Sequence, residues 1–532
     1  MPFKALSKLC VLSALLVTAA ASSQSYKGDP ETRAIRAFDL AKGNPLKLHA
    51  FLMGMPKGAD LHMHLSGAVY AETFIADAAE DKLCVDLASL SLVKSRGVTS
   101  SHPPRPVCGE GQTPAATAFE DQRLYDRLVD SFSMRGFVPS SGISGHDQFF
   151  STFSRFGGIS KSHGGEWIDE VAQRAAAQNE QYLEIMQTPE FSKAATLGAE
   201  AGWPVGADGE PRDATRMELS EIRNKLLTRG LREELAADVK ELDEALKQRE
   251  SRERCRTPQA ESACSVEVRF LAQVLRAFPP QQVFAQTLLY FELASADPNV
   301  VGINFVQPED AYLSMREYHR QMLMLDYLHT VYPKVRITLH AGELAPGLVR
   351  PDGLTFHIRE AVELGHAERI GHGVDAMYEV NPKTLLREMA NRHVMVEINL
   401  TSNDVILGVK ANWHSLPEYL EAGVPVALST DDEGVSRIDL THEYTRAAMD
   451  FHLGYPDLKR MARTGVEHSF LPGESLWLHP DDFRRTRAEC AGGLPGSESP
   501  SSSCREFLRK NERAAQEWEL EHRFHTFEAS LP

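Results

Sequence analysis

Four short stretches of the 532-residue chain carry side chains suited to holding a metal or moving a proton. Asp60-Leu61-His62-Met63-His64 sets two imidazoles two residues apart, and on a strand such residues share a face. Leu339-His340-Ala341-Gly342-Glu343 ends a β-branched run. Gly342 permits a sharp turn there, leaving His340 and Glu343 at the strand mouth. Ile370-Gly371-His372-Gly373 puts a histidine between glycines after another strand-like run, and Leu428-Ser429-Thr430-Asp431-Asp432-Glu433-Gly434 ends the last such run in three acids. Singly each is bland: strand histidines often only pack, and acids are favoured at helix N-termini by the dipole. Together they supply three His and one Asp as nitrogen and oxygen ligands, with a fifth position left for water, a set suited to a catalytic Zn²⁺.

The elements that must position them are short apolar runs, each followed by a helical stretch: 59–65, 181–187, 300–306, 335–340, 369–374, 393–399 and 425–430. Most are rich in Val, Ile and Leu without one-sided alternation, as expected of parallel strands buried on both faces. Amphipathic segments such as 313–332 and 356–364 lie between them. Seven or eight strand-helix units predict an α/β fold, a closed (β/α)8 TIM-type barrel with inserted loops and helices and a C-terminal helical extension. A doubly wound nucleotide fold is the rival, but no strand is followed by G-x-G-x-x-G or G-x-x-x-x-G-K-[ST]. All four clusters then fall at C-terminal strand ends, where barrels build active sites.

Three regions read as additions. Residues 86–145 read as a long loop with one or two helices, and 198–265 as a Gly/Pro opening followed by one charged helix over 217–254. Residues 492–503 are Gly/Ser/Pro-rich and read as mobile, ahead of a charged amphipathic C-terminal helix. The organisation expected is a leader over 1–23, a barrel domain over 24–480 with insertions near 86–145 and 198–265, and an extension over 481–532.

Apolar residues at 42% and charged residues at 25% are ordinary for a globular chain. With 74 acids against 57 bases the net charge is −17, which disfavours non-specific binding to nucleic acid or anionic lipid. Lys4 and Lys8, the apolar run 9–20 and the small residues Ala19 to Ser23 form a secretory leader pattern. The run is shorter than the about 20 residues a spanning helix needs. A secreted or periplasmic protein, with no membrane attachment after leader removal, is the expectation. Six cysteines follow Cys10, and local pairing in an oxidising compartment joins Cys84 with Cys108, Cys255 with Cys264 and Cys490 with Cys504. Six cysteines nevertheless allow 15 connectivities.

The stretch Met55 to Ala68 (MPKGADLHMHLSGA) resembles the opening signature of the adenosine deaminase family. His-Ala-Gly-Glu at 340–343, Arg-Ile-Gly-His-Gly at 369–373 and Ser-Thr-Asp-Asp at 429–432 resemble its later signatures, and Ser469-Phe470-Leu471 resembles its post-barrel helix. The leader and inserted cysteines resemble the secreted, growth-factor-like branch. The resemblance, over roughly residues 50–475, implies one Zn²⁺ held by His62, His64, His340 and Asp431. It further implies that Glu343 protonates purine N1, that His372 positions and helps deprotonate the attacking water, and that Asp432 partners N7. Ser66, Gly67, Gln307 and Asp432 would face the substrate, with two departures. Ser66 stands where many members have an acid touching the ribose, and Gln307 where a glycine is usual near N3.

The implied activity is hydrolytic deamination of adenosine, with 2′-deoxyadenosine, and the implied partner is a small-molecule purine nucleoside. Three alternatives remain: another amidohydrolase-type metal hydrolase, a deaminase of a different aminopurine, and a catalytically idle adenosine-binding protein. The 300–307 strand carries Asn304 and no lysine, which favours one metal over two. Cytidine-deaminase chemistry is excluded because H-x-E with P-C-x-x-C is absent. The Asn399-Leu400-Thr401 sequon ends a core strand and is discounted as a glycosylation site.

Overall fold

The computed structural model describes residues 29–100, 105–140 and 142–532, so the leader expected over 1–23 lies outside the described residues. Eight strands form the barrel: β1 Gly58–His64, β2 Glu180–Gln187, β3 Glu267–Leu275, β4 Val300–Val306, β5 Arg336–Ala341, β6 Arg369–His372, β7 Met395–Ile398 and β8 Val426–Leu428. Each pairs in parallel with the next. All seven residues of β1 are buried, as are all of β6, β7 and β8, which explains their lack of alternation. Three site residues close the ring: the Asp431 N–H donates to the His62 carbonyl (2.8 Å) and the His64 N–H donates to the Asp431 carbonyl (3.2 Å).

Seven of the eight strands match the runs expected from sequence. β3 does not, because it follows directly on the region read as an insertion and because Glu267, Arg269 and Gln273 interrupt its apolar residues. Its burial alternates at the start, with Arg269 turned outward to Glu512. The charged stretch is two helices, Arg216–Thr228 and Leu231–Arg252, broken at Gly230 with φ +112°.

The first insertion is more ordered than a loop. Cys84–Asp86 is the centre of a three-stranded antiparallel sheet with Ser91–Val93 and Gln112–Pro114. The helices Gln122–Ser131 and Gly145–Arg155 follow. The disulfides Cys84–Cys108, Cys255–Cys264 and Cys490–Cys504 are formed. Residues 492–503 are anchored, not loose: the Gly496 carbonyl accepts from His522 Nδ1 (3.0 Å) and the Ser497 carbonyl from Trp518 Nε1 (3.3 Å). Ser469-Phe470-Leu471 lies just past the helix Tyr455–Glu467 and folds under the barrel, where the Phe470 ring sits 3.8 Å from the Arg369 guanidinium. The C-terminal helix Glu512–Ser530 sends Leu520 and Phe524 into the main core. Among the described residues, no helix is long and apolar enough to cross a membrane.

Candidate functional site

The mouth of the barrel gathers the histidines and acids from four strand ends, β1, β5, β6 and β8. His64 Nε2 lies 3.2 Å from both His340 Nε2 and Asp431 Oδ1, and His62 Nε2 lies 3.5 Å from Asp431 Oδ1. A tetrahedral ion with bonds of 2.0–2.1 Å spaces its ligands roughly 3.3 Å apart, so these separations fit one ion. His62 Nε2 is buried with no hydrogen-bond partner, an orphan that a metal would satisfy. By distance alone His372 takes the place of His64: one ligand atom each of His62, His340, His372 and Asp431 lie within 4.8 Å of one another, while His64 groups with Asp431 and Asp432.

The far nitrogens separate these rings. His62 Nδ1 donates to Glu397 Oε2 (2.6 Å), and His64 Nδ1 donates to Gln273 Oε1 (2.9 Å). Asn304 Oδ1 accepts the His340 backbone N–H (3.1 Å), which fixes its amide, and accepts His340 Nδ1 as well (2.9 Å). In all three rings the Nδ1 hydrogen is committed outward, so the Nε2 lone pair faces the site. His372 differs, because its Nδ1 faces the Asn403 Nδ2 amide at 2.9 Å. Ser402 Oγ donates to Asp431 Oδ2 (2.7 Å), leaving Oδ1 for the centre. The donor set that fits an ion is therefore His62, His64, His340 and Asp431.

Local backbone makes this possible. Asp431, His372 and Gln307, each at a strand end, take φ of +59°, +70° and +86°, uncommon for residues with a Cβ. A Cβ on Gly371 would come within 2.5 Å of the His62 ring, and one on Gly67 within 1.5 Å of Asp432 Oδ1. Gly67 thus makes room for Asp432 and does not line the cavity, contrary to the substrate-facing place expected for it.

Charge states divide within a few ångströms. Burial would raise the Asp431 carboxyl, but the His62 and His64 rings hold it well below the usual carboxylate range. Burial opposes protonation of His62, yet the carboxylates of Asp431 and Glu397 push it up to about 10. A metal arriving at Nε2 must therefore displace a proton. Burial, then the neighbouring His62 charge, pushes His340 well down. Burial followed by the Asp431 charge raises Glu343 well above its ordinary value and Asp432 to about 8. Glu343 is held by its backbone: its N–H donates to Glu309 Oε2 (2.8 Å) and the Gly342 N–H donates to Glu309 Oε1 (3.0 Å).

The cavity above these groups is about 410 Å³. His64, His340, Glu343, Asp431 and Asp432 form its polar end, with Ser66, Gln273 and Gln307 beside them. Phe149, Phe150 and Phe153 of the helix Gly145–Arg155 form an apolar wall. Gln307 Oε1 accepts the Ala277 N–H (2.8 Å), so the side chain in the usual glycine position is tied to the wall. Sequence reasoning missed Glu397, Gln273, Ser402, Asn403 and the three phenylalanines. An acid inside the buried strand Met-Val-Glu-Ile was a usable signal for Glu397.

The model of the family described as "Adenosine deaminase" matches residues 166–476, more than half of the chain. The chain belongs to the adenosine deaminase family. The matched stretch begins after β1, so His62 and His64 of this family member join the site through the barrel closure and not through that match. An adenosine deaminase of Escherichia coli (strain SE11) is 38% identical over 139 residues, 26% of this chain and 38% of that protein. The matched stretch thus spans well under half the length of such curated relatives. A solved adenine deaminase from Arthrobacter aurescens is 17% identical with a TM-score of 0.48, covering 78% of this chain and 94% of that one. The N6-methyl-AMP deaminase of Arabidopsis thaliana is 18% identical with a TM-score of 0.49, covering 80% and 94%.

Proposed function

We propose that this chain is a zinc-dependent deaminase that hydrolyses adenosine, and 2′-deoxyadenosine, to inosine or deoxyinosine and ammonia. The observation carrying this is geometric: His62, His64, His340 and Asp431 converge within 3.2–3.5 Å contacts at one end of a cavity that Glu343 and Asp432 also line. His62, His64, His340 and Asp431 would hold Zn²⁺, which would supply a water of pKa about 7. Addition of the water oxygen at C6 breaks purine aromaticity, so N1 must take a proton as the bond forms. Glu343, kept protonated by burial, is the donor. Asp432, likewise protonated, donates to N7, and His372 positions the attacking oxygen. Of the two protons the water gives up, one ends on the C6 amine, which leaves as ammonia, and one returns to Glu343. The 6-oxopurine remains, and one water is consumed for each ammonia released.

The substrate is a neutral nucleoside. Among the described residues no lysine or arginine lines the cavity, while three carboxyl groups do, a poor setting for a phosphate. Curated relatives named adenosine deaminase support the same assignment. The three disulfides suit an oxidising compartment, which with the leader pattern favours a secreted or periplasmic location. The test is metal analysis of the purified protein together with adenosine absorbance for wild type and Glu343→Gln. Turnover should fall about 10²–10⁴-fold in the variant. Full activity in Glu343→Gln removes the acid assignment. Wild type that ignores both nucleosides while consuming adenine or AMP reassigns the substrate.

A further inference from the structure

We propose that Asn403 and His414 are positioning residues that lock His372 as its Nε2–H tautomer, making its site-facing nitrogen a hydrogen-bond donor. Neither residue touches the cavity. The catalytic consequence rests on the deaminase reading above; the tautomer itself does not.

The inference starts from a group whose role is fixed. The backbone N–H of Leu416 lies 3.0 Å from His414 Nδ1, and a backbone N–H can only donate. His414 Nδ1 is thus the acceptor, and a neutral His414 ring carries its hydrogen on Nε2. That nitrogen is 3.0 Å from Asn403 Oδ1, which must accept it, and the amide orientation of Asn403 follows. The Asn403 NH₂ is then the group facing His372 Nδ1 at 2.9 Å. A second amide nitrogen, Asn399 Nδ2, approaches the same atom at 3.4 Å. Glu343 Oε1 lies 3.6 Å from Nδ1, beyond hydrogen-bond reach. The fixed Asn403 donor meets Nδ1, so the ring hydrogen sits on Nε2.

His372 Nε2 is itself buried with no hydrogen-bond partner. His372 and Asn403 are fully buried and His414 is 2% exposed, so solvent does not compete for these bonds. The contrast with the neighbouring rings comes from one chemical difference. Where Nδ1 meets an oxygen, at His62, His64 and His340, Nε2 offers a lone pair and suits a metal. Where Nδ1 meets an amide nitrogen, at His372, Nε2 offers a hydrogen. This excludes His372 as a ligand despite its distance, directs it to donate to the attacking oxygen, and so keeps the positioning part of the role the resemblance implies but not the deprotonation.

The test reads the tautomer directly. Long-range ¹H–¹⁵N spectra of histidine-labelled protein, metal-free and zinc-loaded, are assigned for His372 by the signal lost in His372→Gln. The wild type should show an unprotonated Nδ1 and a protonated Nε2 in both states. Asn403→Asp puts a carboxylate opposite Nδ1 and should reverse the tautomer, lowering kcat about 10–100-fold. KM should change less than about twofold, because the lost interaction belongs to the transition state. His414→Leu releases the Asn403 amide and should give both tautomers, whereas His414→Gln retains an N–H donor and should keep the wild-type signature. A wild-type His372 with a protonated Nδ1 overturns the proposal, as does Asn403→Asp with tautomer and kcat both unchanged. Should Asn403→Asp fail to fold, the wild-type and His414 spectra still decide. Failure of the deaminase reading looks different: an Nε2–H ring with no turnover of adenosine.

Discussion

At the foot of the barrel, buried charge is answered by protein; at the mouth, part of it is left open. Arg369, fully buried, donates through Nε to Glu397 (2.6 Å), through Nη1 to the His468 carbonyl (3.1 Å), and pairs through Nη2 with Glu184 (2.7 Å). Lys57, also buried, donates to the carbonyls of Leu52 (2.6 Å), Met55 (3.1 Å) and Gln178 (2.6 Å). At the mouth His62 Nε2, His372 Nε2 and Asp432 Oδ1 have no hydrogen-bond partner. Unpaired buried polar atoms are costly. Arg369 Nη2 and Glu184 Oε2 at the foot also lack a well-aligned hydrogen bond, but they face each other as opposite charges at 2.7 Å. None of the three mouth atoms has an opposite charge so close, and they mark a place a ligand could complete. Glu397 joins the two ends: Oε1 accepts from Arg369 and Thr338, while Oε2 holds His62. The foot therefore sets the orientation of a mouth ligand through a single carboxylate.

That contrast can be broken by stripping metal. Chelation should abolish turnover, and zinc should restore it. Zinc at a hundred times its Kd should also stabilise the protein by about 2.7 kcal/mol, seen as a higher Tm. Unchanged turnover after verified metal loss would mean that the open mouth atoms await something else. At the foot, Lys57→Met removes the buried donor to three carbonyls, of which Leu52 keeps only the Met55 N–H, and should cost about 3 kcal/mol in denaturant unfolding, with kcat preserved. A fall in kcat without a fall in stability would contradict the division. Glu397→Gln sits between the ends and should weaken zinc affinity about 10–100-fold, measured by competition with a chromogenic chelator. The smallest effect belongs to the mouth wall: Phe150→Ala should raise KM roughly fivefold, about 1 kcal/mol of lost apolar contact, with Tm little changed.

The barrel was legible because seven strands are apolar enough on both faces to be read without context. β3 was not, since Glu267 and Arg269 reach the outside of the barrel and imitate the charged insertion before them. Site residues that touch the centre announced themselves by type and motif. Those behind them did not, because Gln273, Asn304, Ser402 and Asn403 are common polar residues whose meaning depends on what they face. The wall of Phe149, Phe150 and Phe153 was also hidden. Aromatics at that spacing suggest only a helix face, and that helix packs through Gly145 against Val405, 260 positions away.

The amino-acid order by itself determined the strand-helix alternation, the four chemical clusters and their place at strand ends, because burial on both faces and the strand-to-helix turn are local properties. Tertiary structure alone decided which histidines present lone pairs and which a hydrogen. Tautomer and charge state are set by the partner across the space, and for His62, His340 and His372 those partners lie on other strands or beyond them.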